Sequence, residues 1–131
     1  MPHVLIGSAS MQDYVEVILD LTEGYGSARV SDIADRLDVT KPSVTQMMDS
    51  LKKEGLVEQE PYGPVKLTSA GRELAAKVRL RHRLLKKFLV ETLDVDPAVA
   101  DQDACLMEHV VSPETMEKLA EFLLAASVIK H

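Results

Sequence analysis

The sequence predicts a mainly α-helical protein in two parts, a three-helix unit closed by a small β-hairpin and a helical unit behind it. Three observations carry that prediction. Apolar residues recur at three- and four-residue steps along most of the chain. The stretch that breaks this rhythm consists of two short extended runs around Pro61-Tyr62-Gly63-Pro64. The 131 residues are 46% hydrophobic and 27% charged, enough for one compact unit or two small ones with real cores.

The first helix is expected from Met11 to about Glu23. Met11, Tyr14, Val15, Ile18 and Leu21 lie on one side, Ser10 is placed to cap it, and Gly24-Tyr25-Gly26 ends the pattern. A second, short helix covers Val30 to Leu37 with Val30, Ile33, Ala34 and Leu37 inward. Asp38-Val39-Thr40 turns the chain, Thr40 caps the third helix, and Pro42 falls where a first-turn proline is tolerated. That helix buries Val44, Met47, Met48 and Leu51 and stops at Gly55. Leu56–Glu60 and Val65–Leu67 then pair around the Pro/Gly turn. Three helices followed by a hairpin make a winged helix-turn-helix with the hairpin as its wing.

From Thr68 a long helix is expected to about Thr92, broken by Asp94-Val95-Asp96-Pro97. Another helix is expected from Pro97 to about Val111. Ser112 as cap and Pro113 as first residue restart a last helix that runs to the end. The expected domains are 1–70 and 71–131, joined through the long helix.

Composition narrows the function. The net charge is −6, from 21 acidic and 15 basic residues, which argues against a coat for nucleic acid or an anionic membrane. A sequence-specific DNA reader remains compatible, because local charge decides there. With no Trp, two Phe and three Tyr, stacking platforms for single strands are not expected. A single cysteine, Cys105, excludes an internal disulfide framework and suits a reducing cytosol. No basic-flanked leader or long apolar run is visible, so a soluble cytoplasmic protein is expected.

In a helix-turn-helix the second helix enters the major groove and its early outward side chains reach base edges. Those positions are Thr40, Lys41, Pro42, Ser43, Thr45 and Gln46. Gln pairs with an adenine edge, hydroxyls serve bases or phosphates, and Lys takes a phosphate or a guanine. Arg29, with Lys52, Lys53 and Lys66, adds phosphate contacts. A polar helix face is otherwise merely solvated; the order of three helices and a hairpin favours the DNA reading.

Two further constellations carry chemistry. Asp13, Glu16, Asp20 and Glu23 share a face of helix one, which by itself reads as a solvated acidic stripe. Cys105, Glu108 and His109 stand at i, i+3 and i+4, so a helix presents thiolate, carboxylate and imidazole on one side, the usual donors to divalent transition metals. An inert core cysteine and a helix-end histidine are the alternative. His82, among Arg79, Arg81 and Arg83, is a fourth candidate.

Met11–Glu16, Ala28–Ala34, Lys41–Thr45, Leu67–Gly71, Arg81–Leu85 and Cys105–Ser112 together resemble the diphtheria-toxin-repressor family, over nearly the whole chain after residue 10. The resemblance implies a homodimeric, metal-dependent repressor of iron or manganese uptake, with a winged-helix domain followed by a helical metal-binding and dimerisation domain. It places primary metal ligands at Asp13, Glu16, His82, Cys105, Glu108 and His109, so that the acidic and sulfur clusters serve one site. It implies Fe(II) or Mn(II), one or two ions per protomer, with Co(II), Ni(II) or Zn(II) able to substitute in vitro. Its partners are double-stranded operator DNA and a second copy of the chain, with no membrane and no small-molecule substrate.

The ligand set mixes two branches of that family. Asp13 and Glu16 resemble manganese regulators, while Cys105 resembles iron regulators and favours the softer Fe(II), giving a slight lean to iron. The ancillary pair of iron-type members falls at Lys86 and Asp101, and a charged Lys86 is no ligand. With the chain ending at His131, the SH3-like third domain of some iron regulators is not expected. Two other classes compete: a winged-helix regulator that senses an organic ligand or acts without metal, and a metalloenzyme on the same donors. No acid/base group beyond the ligands points to catalysis.

Overall fold

The computed structural model describes the backbone of residues 2–130 and the side chains of 11–126. Its elements are α1 (Pro2–Tyr25), α2 (Val30–Leu37), α3 (Lys41–Lys53), β1 (Val57–Gln59), β2 (Val65–Leu67), α4 (Ser69–Lys87), a π-helical segment Phe88–Thr92, α5 (Pro97–Met107) and α6 (Pro113–Lys130). The protein is mostly helical with one two-stranded sheet, in the order the hydrophobic periodicity predicts. Two compact units result, Met1–Lys77 and Val78–His131, so the division falls inside α4. Among the described residues no helix is long and apolar enough to cross a membrane.

In the first unit Val15 and Ile18 of α1, Ile33 of α2 and Val44 and Leu51 of α3 are completely buried. α1 already includes residue 10, so Ser10 does not cap its start; the side chain of Ser10 lies outside the described residues. The α2–α3 turn is built on Asp38, which adopts a left-handed φ of 56° and sends its N–H back to Ala34 and Asp35. Aspartate tolerates that region better than a bulky residue. Thr40 then caps α3 by accepting the Ser43 N–H at 3.2 Å, with Pro42 in the first turn. Gly55 ends the helix with φ 73°, allowing the Leu56 N–H to reach the Leu51 carbonyl at 2.9 Å.

The hairpin is antiparallel with Val57 opposite Leu67, Glu58 opposite Lys66 and Gln59 opposite Val65. Alternation turns Val57, Val65 and Leu67 into the core and Glu58 and Lys66 outward. Ala28 adds one further bridge, its carbonyl accepting the Val65 N–H at 2.7 Å. The base of the hairpin is tied to the start of α4: Thr68 donates its hydroxyl to the Gly55 carbonyl at 2.6 Å and its N–H to Leu56 at 3.0 Å. Gly71 follows because a Cβ there would stand 2.1 Å from the Leu56 carbonyl oxygen.

In the second unit Leu85, Ala104 and Met116 form a small core with Leu84, Met107, Val111 and Leu119 against it. Phe88 and Phe122 meet edge to face with ring centroids 6.0 Å apart. The long helix expected to Thr92 keeps its end but changes register at Phe88. Asp96 caps α5 by accepting the Ala98 N–H at 3.1 Å, and Ser112 caps α6 by accepting that of Thr115 at 3.2 Å. α5 stops at Met107 rather than Val111, and turns at 108–110 follow it.

Candidate metal centre and DNA-reading face

The candidate DNA face belongs to the first unit. Burial of Val44, Met48 and Leu51 turns the opposite side of α3 outward, leaving Lys41, Pro42, Ser43, Thr45 and Gln46 exposed beside Thr40. The hydroxyls differ in what they already do. Those of Thr40 and Ser43 bond each other at 2.8 Å, and Thr45 donates to the Lys41 carbonyl at 3.1 Å. The side chains of Lys41 and Gln46 therefore carry the polar reach of this face. Arg29, at the start of α2, is also exposed, as are Lys52, Lys53 and Lys66.

The candidate metal ligands of the second unit come from α4 and α5. His82 projects from α4. Asp101, Cys105 and Glu108 recur at i, i+4 and i+7, which puts them on one stripe of α5 and its end. Ligand atoms of His82, Asp101 and Cys105 lie within 4.8 Å of one another. The His82 ring is held at both nitrogens, with Nε2 2.8 Å from Asp101 Oδ1 and Nδ1 3.1 Å from Glu108 Oε2. Cys105 Sγ stands 3.7 Å from the same Nδ1. Glu108 faces His109 Nε2 at 3.5 Å through its other oxygen.

Helix α5 ends before Glu108, so Cys105, Glu108 and His109 do not form the single helical triad the spacing predicts. Cys105 is exposed, whereas the Glu108 and His109 side chains are nearly sequestered, at 2% and 7% exposure. Beyond α5 the chain turns, and that turn carries His109. Two carboxylates meet the His82 ring, both brought by α5 and its end.

Glu108 is the one buried charged residue among the described side chains. A carboxylate removed from water needs opposing charge and donors. Two imidazoles meet it, and the Cys105 thiol meets the nearer one, His82; these are the borderline donors that divalent transition metals take. Ligands about 2 to 2.3 Å from one ion stand roughly 3 to 4 Å apart, the spacing seen around His82 Nδ1. The residues present fit a divalent ion.

Lys86 does not join that set. Its ammonium lies 3.4 Å from Asp101 Oδ1, the same oxygen that meets His82. The Asp101 carboxyl is held below the ordinary carboxylate range, chiefly by its hydrogen bond with His82 and further by Lys86. Asp101 entered the sequence reading only as half of an ancillary pair. Its step of four residues to Cys105 and seven to Glu108 is the signal that places it on the same stripe as those two candidate ligands.

Residues 8–65 match the iron dependent repressor N-terminal DNA binding domain, and residues 68–128 the iron dependent repressor metal binding and dimerisation domain. The chain is 43% identical over 112 residues to the transcriptional regulator MntR of Escherichia coli O6:H1, covering 86% of this chain and 72% of that protein. It belongs to the diphtheria-toxin-repressor family.

Members of the diphtheria-toxin-repressor family are metal-dependent transcriptional repressors, and so is this chain. Among solved structures it is similar to a manganese-dependent transcriptional repressor in complex with manganese, at TM-score 0.79 and 32% identity over 86% of this chain. It is also similar to the manganese regulator SloR, at TM-score 0.76 and 31% identity over 86% of this chain. The chain spans about half the length of those two, 52% and 53%. The family's metal-binding domain contains His82, Cys105, Glu108 and His109; its DNA-binding domain contains Asp13 and Glu16, both half-buried on α1, together with the exposed residues of α3.

Proposed function

We propose that this chain, as a homodimer loaded with Fe(II) or Mn(II), binds operator DNA of metal-uptake genes and represses them in the cytoplasm. The observation that carries the reading is the convergence of His82, Cys105 and the buried Glu108 at one place in the second unit. A bound divalent ion supplies positive charge to this donor set.

Each residue then has a defined task. Residues 1–70 read DNA, with Gln46 and Lys41 at base edges, Ser43 and Thr45 beside them, Thr40 and Pro42 fixing the start of α3, and Arg29 at a phosphate. Residues 71–131 bind metal and dimerise. His82, Cys105, Glu108 and His109 are the ligands of the second unit, and the family resemblance adds Asp13 and Glu16 from the first. The exposed Val99 and Leu106 of α5, at 47% and 74%, stand seven residues apart on one face of that helix and support pairing of two copies. The names of the similar regulators support Mn(II); the thiolate of Cys105 supports Fe(II).

Anaerobic calorimetry with Fe(II), Mn(II), Co(II) and Zn(II), with bound metal counted alongside, tests the reading. One or two ions per protomer are expected, with affinity lost on Asp13→Ala or His109→Ala. A wild-type chain that takes up no divalent ion contradicts it and favours a regulator that works without metal.

A further inference from the structure

Both nitrogens of His82 face carboxylates, but the two surroundings differ. Nδ1 faces Glu108 Oε2 at 3.1 Å and Cys105 Sγ at 3.7 Å, so it looks into the group of candidate ligands. Nε2 faces Asp101 Oδ1 at 2.8 Å, and that oxygen is also held by the Lys86 ammonium at 3.4 Å. A carboxylate already engaged by a lysine is a poor ligand for a second cation, because the ammonium would be driven against the ion. It is a good acceptor for an imidazole N–H, and a histidine with one N–H so held offers its other nitrogen to a metal.

Resting on the metal-binding reading above, we infer that Asp101 is a positioning residue that holds His82 with its proton on Nε2 and presents Nδ1 to the metal, and that Lys86 anchors Asp101 in that task. Lys86 thereby takes the place of a second ion on the outer side of the ring. Asp101 and Lys86 act from outside the coordination sphere: the Asp101 side chain is 51% exposed and that of Lys86 41%, against 2% for Glu108. The fixed tautomer removes the entropy of choosing between two ring nitrogens.

The experiment uses the full chain. Mn(II) and Zn(II) affinity and ion count are measured for wild type, Asp101→Ala, Asp101→Asn and Lys86→Met, with urea unfolding as a check on folding. Asp101→Ala is expected to weaken metal binding roughly 10- to 100-fold at an unchanged ion count. Asp101→Asn, which keeps an oxygen acceptor, recovers part of that loss, and Lys86→Met neither adds nor removes an ion. Long-range nitrogen NMR on the diamagnetic Zn(II) form is expected to show His82 protonated at Nε2 and ligated through Nδ1.

Ligation through Nε2, loss of an ion in Asp101→Ala, or gain of an ion in Lys86→Met overturns the assignment. A wild-type chain that binds its ion with an affinity indifferent to Asp101→Ala overturns the positioning role alone. A wild-type chain that binds no ion overturns the metal-binding reading together with it.

Discussion

Glu108 Oε2 lies 3.1 Å from Nδ1 of His82, joining the end of α5 to the middle of α4 through the one buried carboxylate among the described residues. A second carboxylate, Asp101, meets the other nitrogen of the same ring. Two carboxylates held this close make divalent-cation binding a property of the folded state.

Metal should therefore stabilise the fold. An ion that binds only the native state adds about 2.7 kcal/mol when its free concentration is about 100 times its dissociation constant. Urea unfolding with and without Mn(II) reads this directly. Glu108→Gln keeps the shape of the side chain and removes the charge, and the metal-dependent increment is expected to disappear with it.

Two glycines should respond in opposite directions to alanine. At Gly71 a new Cβ meets the Leu56 carbonyl oxygen at 2.1 Å, so Gly71→Ala must push the base of the wing away from α4. A loss of about 1–3 kcal/mol is expected, the range for overpacking. Gly24 lies in α1 with nothing within 4 Å of such a Cβ. Gly24→Ala is expected to raise stability by up to about 1 kcal/mol through helix propensity. Thermal unfolding of both variants measures the contrast.

The cap of α3 is Thr40, whose hydroxyl accepts the Ser43 N–H. Thr40→Ala should cost about 1 kcal/mol, while Thr40→Ser, which retains the oxygen, should cost little. Equilibrium denaturation decides this independently of any DNA.

On operator DNA, Gln46 and Lys52 are expected to behave differently, because one faces bases and the other phosphate in the proposed docking. Gln46→Ala should cost about 1–3 kcal/mol and relax preference at one base pair. Lys52→Ala should weaken all sequences alike and lower the salt slope by about one. Binding to matched and mismatched duplexes at several salt concentrations separates the two.

Much of the fold was legible because its signals are local. Val30–Leu37, the Thr40 cap, Pro42, the wing strands and the Ser112–Pro113 restart are each marked by side chains that act within a turn of themselves. The register change at Phe88 and the early end of α5 were not, because hydrophobic spacing does not distinguish a widened helical turn, or a stop without Gly or Pro, from a regular helix. The extension of α1 before Met11 was hidden by the Ser10 cap signal, which competes with helical continuation.

The candidate site was legible as chemistry and less so as geometry. Cys105, Glu108 and His109 announce metal donors by type, but their very different exposures follow from where α5 stops. The role of Asp101 is hidden in the sequence because it depends on His82 and Lys86, both on α4 and distant along the chain.

The decisive measurement is operator binding by the full chain, titrated anaerobically with Mn(II) and Fe(II) and repeated in excess chelator. Tight binding with either metal, lost in chelator and restored by adding the ion back, is the predicted result. Equal affinity with metal and with chelator would contradict metal-dependent repression by this chain.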